Sequence, residues 1–202
     1  METDFVKICT SRGELYGGDQ SMFGKSAERS GCGMIAACDM LLYLDGERRL
    51  SEEKYTAFVS DLRDNVFYHH RLNFIGIFPR RLTKILRQKS GRSFVYRPKR
   101  DFTEETLAEY ITQSLSDGHP VIVRVGYNWR KLPYTIEYAG GNRRRGVMCW
   151  HYITVTGING GVLTFSSWGG KGELLCRDLY RHFGISGGII AEDDRAFWKK
   201  VQ

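Results

Sequence analysis

Gly31-Cys32-Gly33-Met34 opens an apolar run, Ile35 to Leu44, that only Asp39 interrupts. Two full turns of helix made almost wholly of Ala, Leu, Ile, Met, Cys and Tyr have no polar face to give to water. Such a helix must be enclosed by other elements. The run stops at Asp45-Gly46, a glycine exit suited to a helix C-terminus. A chain of 202 residues with 42% hydrophobic and 26% charged residues is large enough to build that enclosure as one domain, residues 1–202.

What surrounds the helix changes character along the chain. Residues 10–31 are rich in Gly and Ser and read as a loop leading into Cys32. Ser51 before Glu52-Glu53 is an N-cap with an acidic first turn, predicting a helix to about Asn65. Pro79 suits the first turn of a helix over Arg80–Lys89, ended by Ser90-Gly91. Thr103, with apolar Leu107, Tyr110, Ile111 and Leu115, predicts a fourth helix ending at Asp117-Gly118. From there the signals are β. Pro120 to Val125 is short and β-branched, a buried strand. Residues 126–148 form a long hairpin or loop around Gly140-Gly141-Asn142. Trp150–Thr156 and Val162–Phe165 flank Asn159-Gly160-Gly161 as a hairpin, and Glu173–Cys176 is a further strand. Helices first and antiparallel sheet second make an α+β fold.

A net charge of +7 permits anionic partners, but the basic residues are dispersed. Phe94 to Arg100 is the nearest approach to a nucleic-acid platform and reads more simply as a strand with a basic exit. Arg143-Arg144-Arg145 reads as a solvated hairpin tip. The cysteines Cys9, Cys32, Cys38, Cys149 and Cys176 are odd in number and contain no CxxC pair. That disfavours a disulfide framework and a structural zinc site, and no cofactor or metal is expected. Met1 to Cys9 carries Glu2 and Asp4 and no apolar run, and no stretch is long enough to span a membrane, so the expected location is the cytoplasm.

Cys32 is the strongest chemical candidate. At a helix start it feels unpaired backbone N–H groups and the positive end of the macrodipole, both of which favour thiolate. His151, at the mouth of an apolar strand far downstream, supplies a base in the chain order of a thiol nucleophile and its imidazole. Cys38 reads as core, and Cys9 and Cys176 have no neighbouring base. Cys149 lies two residues before His151, on the same face if the strand is regular. His69-His70 reads as a surface pair whose side chains point apart. His119 and His182 read as loop residues.

Gly31-Cys32-Gly33 on an apolar helix, Gly118-His119-Pro120-Val121-Ile122-Val123, and His151 to Gly157 together resemble the papain-like cysteine peptidases. More narrowly they are similar to the branch of bacteriocin-leader-processing (double-glycine) peptidases and their bacterial relatives. The resemblance spans about residues 20–180. It implies a helical N-terminal half carrying the nucleophile, packed on an antiparallel sheet carrying the His. It implies Cys32 as nucleophile, His151 as general base and acid, and a residue fifteen positions on, Ser166, as the group orienting the imidazole. The papain-type stretch Asn-Ser-Trp-Gly is here Ser166-Ser167-Trp168-Gly169, so a hydroxyl replaces a carboxamide. Trp168 would cover that contact from water. The family's oxyanion Gln, six residues before the Cys, is matched in position by Ser26. Gln20, twelve residues upstream, is the candidate that would reach back beside the Cys32 backbone N–H.

The resemblance implies a thiol hydrolase acting on peptide or isopeptide bonds of a peptide or protein substrate. An acyltransferase using the same dyad is one alternative. A catalytically silent module that binds a peptide or protein is the other. The Gly-rich segment 10–31 and the aromatic segment 126–148 would flank the cleft.

Overall fold

The computed structural model describes residues 1–67, 76–193 and 197. In chain order its elements are β1 (Lys7–Thr10), β2 (Gly13–Tyr16), α1 (Lys25–Ser30), α2 (Cys32–Leu44), β3 (Arg49–Ser51), α3 (Glu52–Leu62), α4 (Pro79–Ser90), β4 (Phe94–Pro98), α5 (Glu104–Ser116), β5 (Val121–Val125), β6 (Leu132–Glu137), β7 (Arg143–Met148), β8 (His151–Asn159), β9 (Val162–Ser167), β10 (Gly170–Leu175), α6 (Cys176–His182) and β11 (Gly188–Glu192). This is an α+β arrangement. An eight-stranded sheet runs in the order β4-β11-β5-β8-β9-β10-β6-β7, and β2-β1-β3 form a small second sheet.

The large sheet separates two apolar layers. On one face lie α2, α3 and α4, through residues such as Met40, Tyr55, Val59, Leu82 and Leu86, with Ile122 and Tyr152 from the sheet. On the other lie α5 and α6, through Leu107, Ile111 and Leu179, with Val121, Val123, Val125, Ile153 and Val155. The alternation of Ile122 against Val121 and Val123 is the two-residue period of a strand buried on both faces. α2 is buried from Gly33 to Tyr43, as its composition requires. Ser51 accepts from the Lys54 N–H, and Thr103 makes a reciprocal capping box with Thr106, so α3 and α5 start at their caps. α4 ends on Gly91 in the left-handed region, φ 69°.

The segment 10–31 departs from the expected loop. It holds β2, a short 3-10 turn over Gln20–Phe23 and α1. The 126–148 segment is the β6–β7 hairpin, with Glu137 opposite Arg143. β7 forms one open edge of the large sheet, and Arg143, Arg144 and Arg145 stand exposed along that edge rather than at a turn tip. Sequence patterning did not anticipate α6 or β11. β11 inserts between β4 and β5, pairing antiparallel with both. His69-His70 lies outside the described residues. Among the described residues, no helix is long and apolar enough to cross a membrane.

Candidate active site around Cys32

Cys32 is the first residue of α2. Gly31 before it has αR geometry, φ −82° and ψ −5°, and offers no side-chain cap, so the N–H groups of the first turn remain available. The backbone N–H groups of Tyr152, Gly33 and Cys32 itself lie close enough to the sulfur to favour its anion. Those contacts, with the Arg124 charge, favour thiolate, but burial opposes them and is the larger effect. The Cys32 pKa is therefore raised, not lowered. Desolvation outweighs the stabilisation that a helix start offers a thiolate.

His151 opens β8 and is 7% exposed. Its Nε2 lies 2.7 Å from the Ser167 hydroxyl. Trp168 stacks on the imidazole at 4.0 Å between centroids and 12° between planes, held there by a left-handed backbone, φ 49°. Burial pushes the His151 pKa down to about 3. The Ser166 hydroxyl points elsewhere, donating to the Tyr16 carbonyl at 2.9 Å. The hydroxyl beside His151 therefore belongs to Ser167 rather than Ser166. Consecutive residues of β9 face opposite ways, and Thr154 is paired with Ser166 across the β8–β9 ladder. Cys149 does not share a strand with His151, because Trp150, at φ 51°, breaks the chain direction between them.

Among the described residues, no hydrogen bond joins the Cys32 sulfur to His151; each has other partners. They are neighbours through Tyr152, the residue after His151, whose backbone N–H favours the Cys32 anion and whose side chain lines both cavities that Cys32 borders.

Gln20 is 9% exposed and lines a small cavity with Cys32, Asp39, Thr154, Ser166 and Ser167. Its carboxamide donates to the Glu28 carbonyl. The twelve-residue separation from Cys32 arises because α1 intervenes. Ser26 lies exposed on that helix and takes no part in the cavity. Asp39, the one charge in the apolar run, accepts from the Gly18 N–H at 3.0 Å and the Tyr55 hydroxyl at 2.7 Å. Burial raises its pKa to about 6, against the lowering effect of both hydrogen bonds. Gly17 sits at φ 70°, and a Cβ there would fall 2.1 Å from the Ser166 Oγ and 2.7 Å from Asp39 Oδ2. Asp39 and Ser166 thus clamp the Tyr16–Gly18 backbone that leads to Gln20.

On the other side of Cys32 a cavity of about 290 Å³ is lined by Arg29, Ile77, Arg124, Trp150 and Tyr152 among others. Cys32 lines both cavities. Four residues missed in the sequence shape this region: Ser167, Asp39, Tyr152 and Arg124. Two carried a signal, because Asp39 and Arg124 are the single charges in otherwise apolar runs, Ile35–Leu44 and Val121–Val125.

No family model and no curated protein matches the chain. Among solved structures the chain is similar to one described as a "putative C39-like peptidase" from Bacillus anthracis. The likeness has a TM-score of 0.49 at 11% identity, covering 82% of this chain and 89% of that one.

Proposed function

We propose that the chain is a thiol hydrolase of the cysteine peptidase kind, cleaving peptide or isopeptide bonds through an acyl-thioester on Cys32. The observation that carries this reading is the sulfur itself. It sits on the first residue of a buried helix with no side-chain cap, where neighbouring backbone N–H groups favour its anionic form, and borders an open cavity large enough for a side chain.

In this reading the free protein holds a neutral thiol and a neutral imidazole, as burial of both requires. If Ser167 accepts from the Nε2–H, Nδ1 is left as the basic nitrogen. On substrate entry Nδ1 takes the Cys32 proton, closing a separation that hydrogen bonds do not bridge in the free state. The sulfur attacks the carbonyl carbon, and the oxyanion receives the Cys32 N–H and the second N–H of the Gln20 carboxamide. The C–N bond breaks as the imidazolium protonates the leaving amine. Water then attacks the thioester, giving its proton to the imidazole. The carboxylic acid leaves, and the proton returns to sulfur. Ser167 is a positioning residue here, and Trp168 shields its hydrogen bond.

A second reading, a silent peptide-binding module, is favoured by the same burial, which leaves the thiol un-ionised and without a bond to His151. A complex peptide pool incubated with the wild type, Cys32→Ala and His151→Gln, and read by mass spectrometry for new termini and for an acyl adduct on Cys32, separates the two. New termini or an adduct with the wild type alone are expected. Identical pools and no adduct would overturn the hydrolase reading.

A further inference from the structure

We propose that the cavity of about 290 Å³ beside Cys32 binds a carboxylate of the substrate, held by Arg124 close to the scissile bond. This names a substrate class and rests on the hydrolase reading only in calling the bound peptide a substrate.

Arg124 lies on β5 directly opposite Tyr152 on β8, and shares with Ile122 the sheet face that meets α2. It is 3% exposed. A buried guanidinium is normally matched by a carboxylate, because an uncompensated charge in the interior carries a large desolvation penalty. Here, among the described residues, no ion pair includes Arg124. Its hydrogen bond runs from Nη1 to the Ser186 carbonyl at 3.1 Å, a neutral acceptor that fixes orientation without neutralising charge. The guanidinium carbon lies 5.3 Å from the Trp150 ring centroid, 5.8 Å from Tyr152 and 5.9 Å from Phe78. These rings hold the planar fork in place and accept its positive charge on their faces. Arg29, exposed on α1, adds a second cation to the rim, and among the described residues no acidic one lines the cavity.

A fixed fork with a neutral anchor on one side and open space on the other suits bidentate capture of a carboxylate. Cys32 lines the same cavity, so the captured group belongs to a residue adjacent to the bond presented to the sulfur. That carboxylate has two sources, a Glu or Asp side chain within the peptide or a free C-terminus.

The full-length Cys32→Ala protein separates them. One arm titrates acetylated, C-amidated hexapeptide libraries with each position fixed in turn as Glu or Gln. The second arm compares the same peptides as free acids and amides. Binding tighter by about tenfold or more is expected for Glu over Gln at one position, or for acid over amide. Arg124→Gln in that background is expected to erase the ratio, while Arg124→Lys keeps a cation and part of the preference. Thermal melts of both variants establish that they fold; if Arg124→Gln does not, Arg124→Lys and Arg29→Gln carry the comparison. No binding, or equal binding of Glu with Gln and of acid with amide, overturns the pocket. Wild type that cleaves peptides without acidic preference would sink the pocket and leave the hydrolase standing. A binding preference with no cleavage would do the reverse.

Discussion

At the scale of single residues, burial decides the charge states that matter. The raised Cys32 pKa means that thiolate is scarce near neutrality. Iodoacetamide is therefore expected to alkylate Cys32 in the free protein no faster at pH 7 than Cys9, which is half-buried like Cys32, with the Cys32 rate climbing only in alkaline solution; intact mass and peptide mapping across a pH series read this directly. Ser166 and Ser167 predict opposite phenotypes. Ser167→Ala removes the imidazole's partner and is expected to lower kcat by about tenfold, with KM little changed. Ser166→Ala frees the Tyr16 carbonyl and is expected to cost about 1 kcal/mol of stability, measured by urea unfolding, with His151 keeping its hydroxyl. The sequence showed that a hydroxyl pair follows the His strand. Which member faces the imidazole depends on ladder register, including a shift between Val155 and Gly157 that counting along the chain does not reveal.

At the scale of elements, helix α2 was the most legible part of the chain, because a run without a polar face has few ways to be satisfied. α4 and α5 were read nearly to their ends, since Gly91 and Thr103 act through local geometry. The 10–31 segment was misread for the opposite reason. Much of its order comes from remote partners, since Asp39 and Ser166 hold Tyr16 to Gly18, while Glu28 within the segment holds Gln20. Packing of α2 on the sheet also sets how near the thiol comes to His151. A Cβ on Gly33 would meet Ile77 Cγ2 at 2.4 Å and the Tyr152 ring at 3.1 Å. Gly33→Ala is therefore expected to destabilise by about 1–3 kcal/mol and to impair any Cys32 chemistry beyond that loss. A melt and a thiol-reactivity assay on the same sample separate the two effects.

At the scale of the whole molecule, two buried groups give opposing pH dependences. His151 is held near 3 against an ordinary 6.5, so the unfolded chain takes up a proton that the folded one refuses. Its contribution falls away as pH drops from 6.5 towards 3. Asp39 is raised from 3.8 to about 6, so the folded state takes its proton first. That term is fully favourable below 3.8 and is lost as pH rises through 6. The two oppose each other between about pH 4 and 6, with the His151 window the wider. Urea midpoints measured from pH 7 to pH 4 are expected to fall for the wild type, and to fall less or rise for His151→Gln. An unchanged slope in the variant would mean that the imidazole is not desolvated in the folded chain.

The arginines of β7 bear on how one molecule meets another. An edge strand presents unpaired backbone donors and acceptors to any extended segment that drifts alongside. Arg143 on that rim is matched by Glu173 at 2.9 Å and Glu137 at 3.7 Å, so exposed Arg144 and Arg145 supply the charge that opposes two copies aligned edge to edge. An extended segment approaching that edge therefore meets positive charge before it meets the backbone groups of β7.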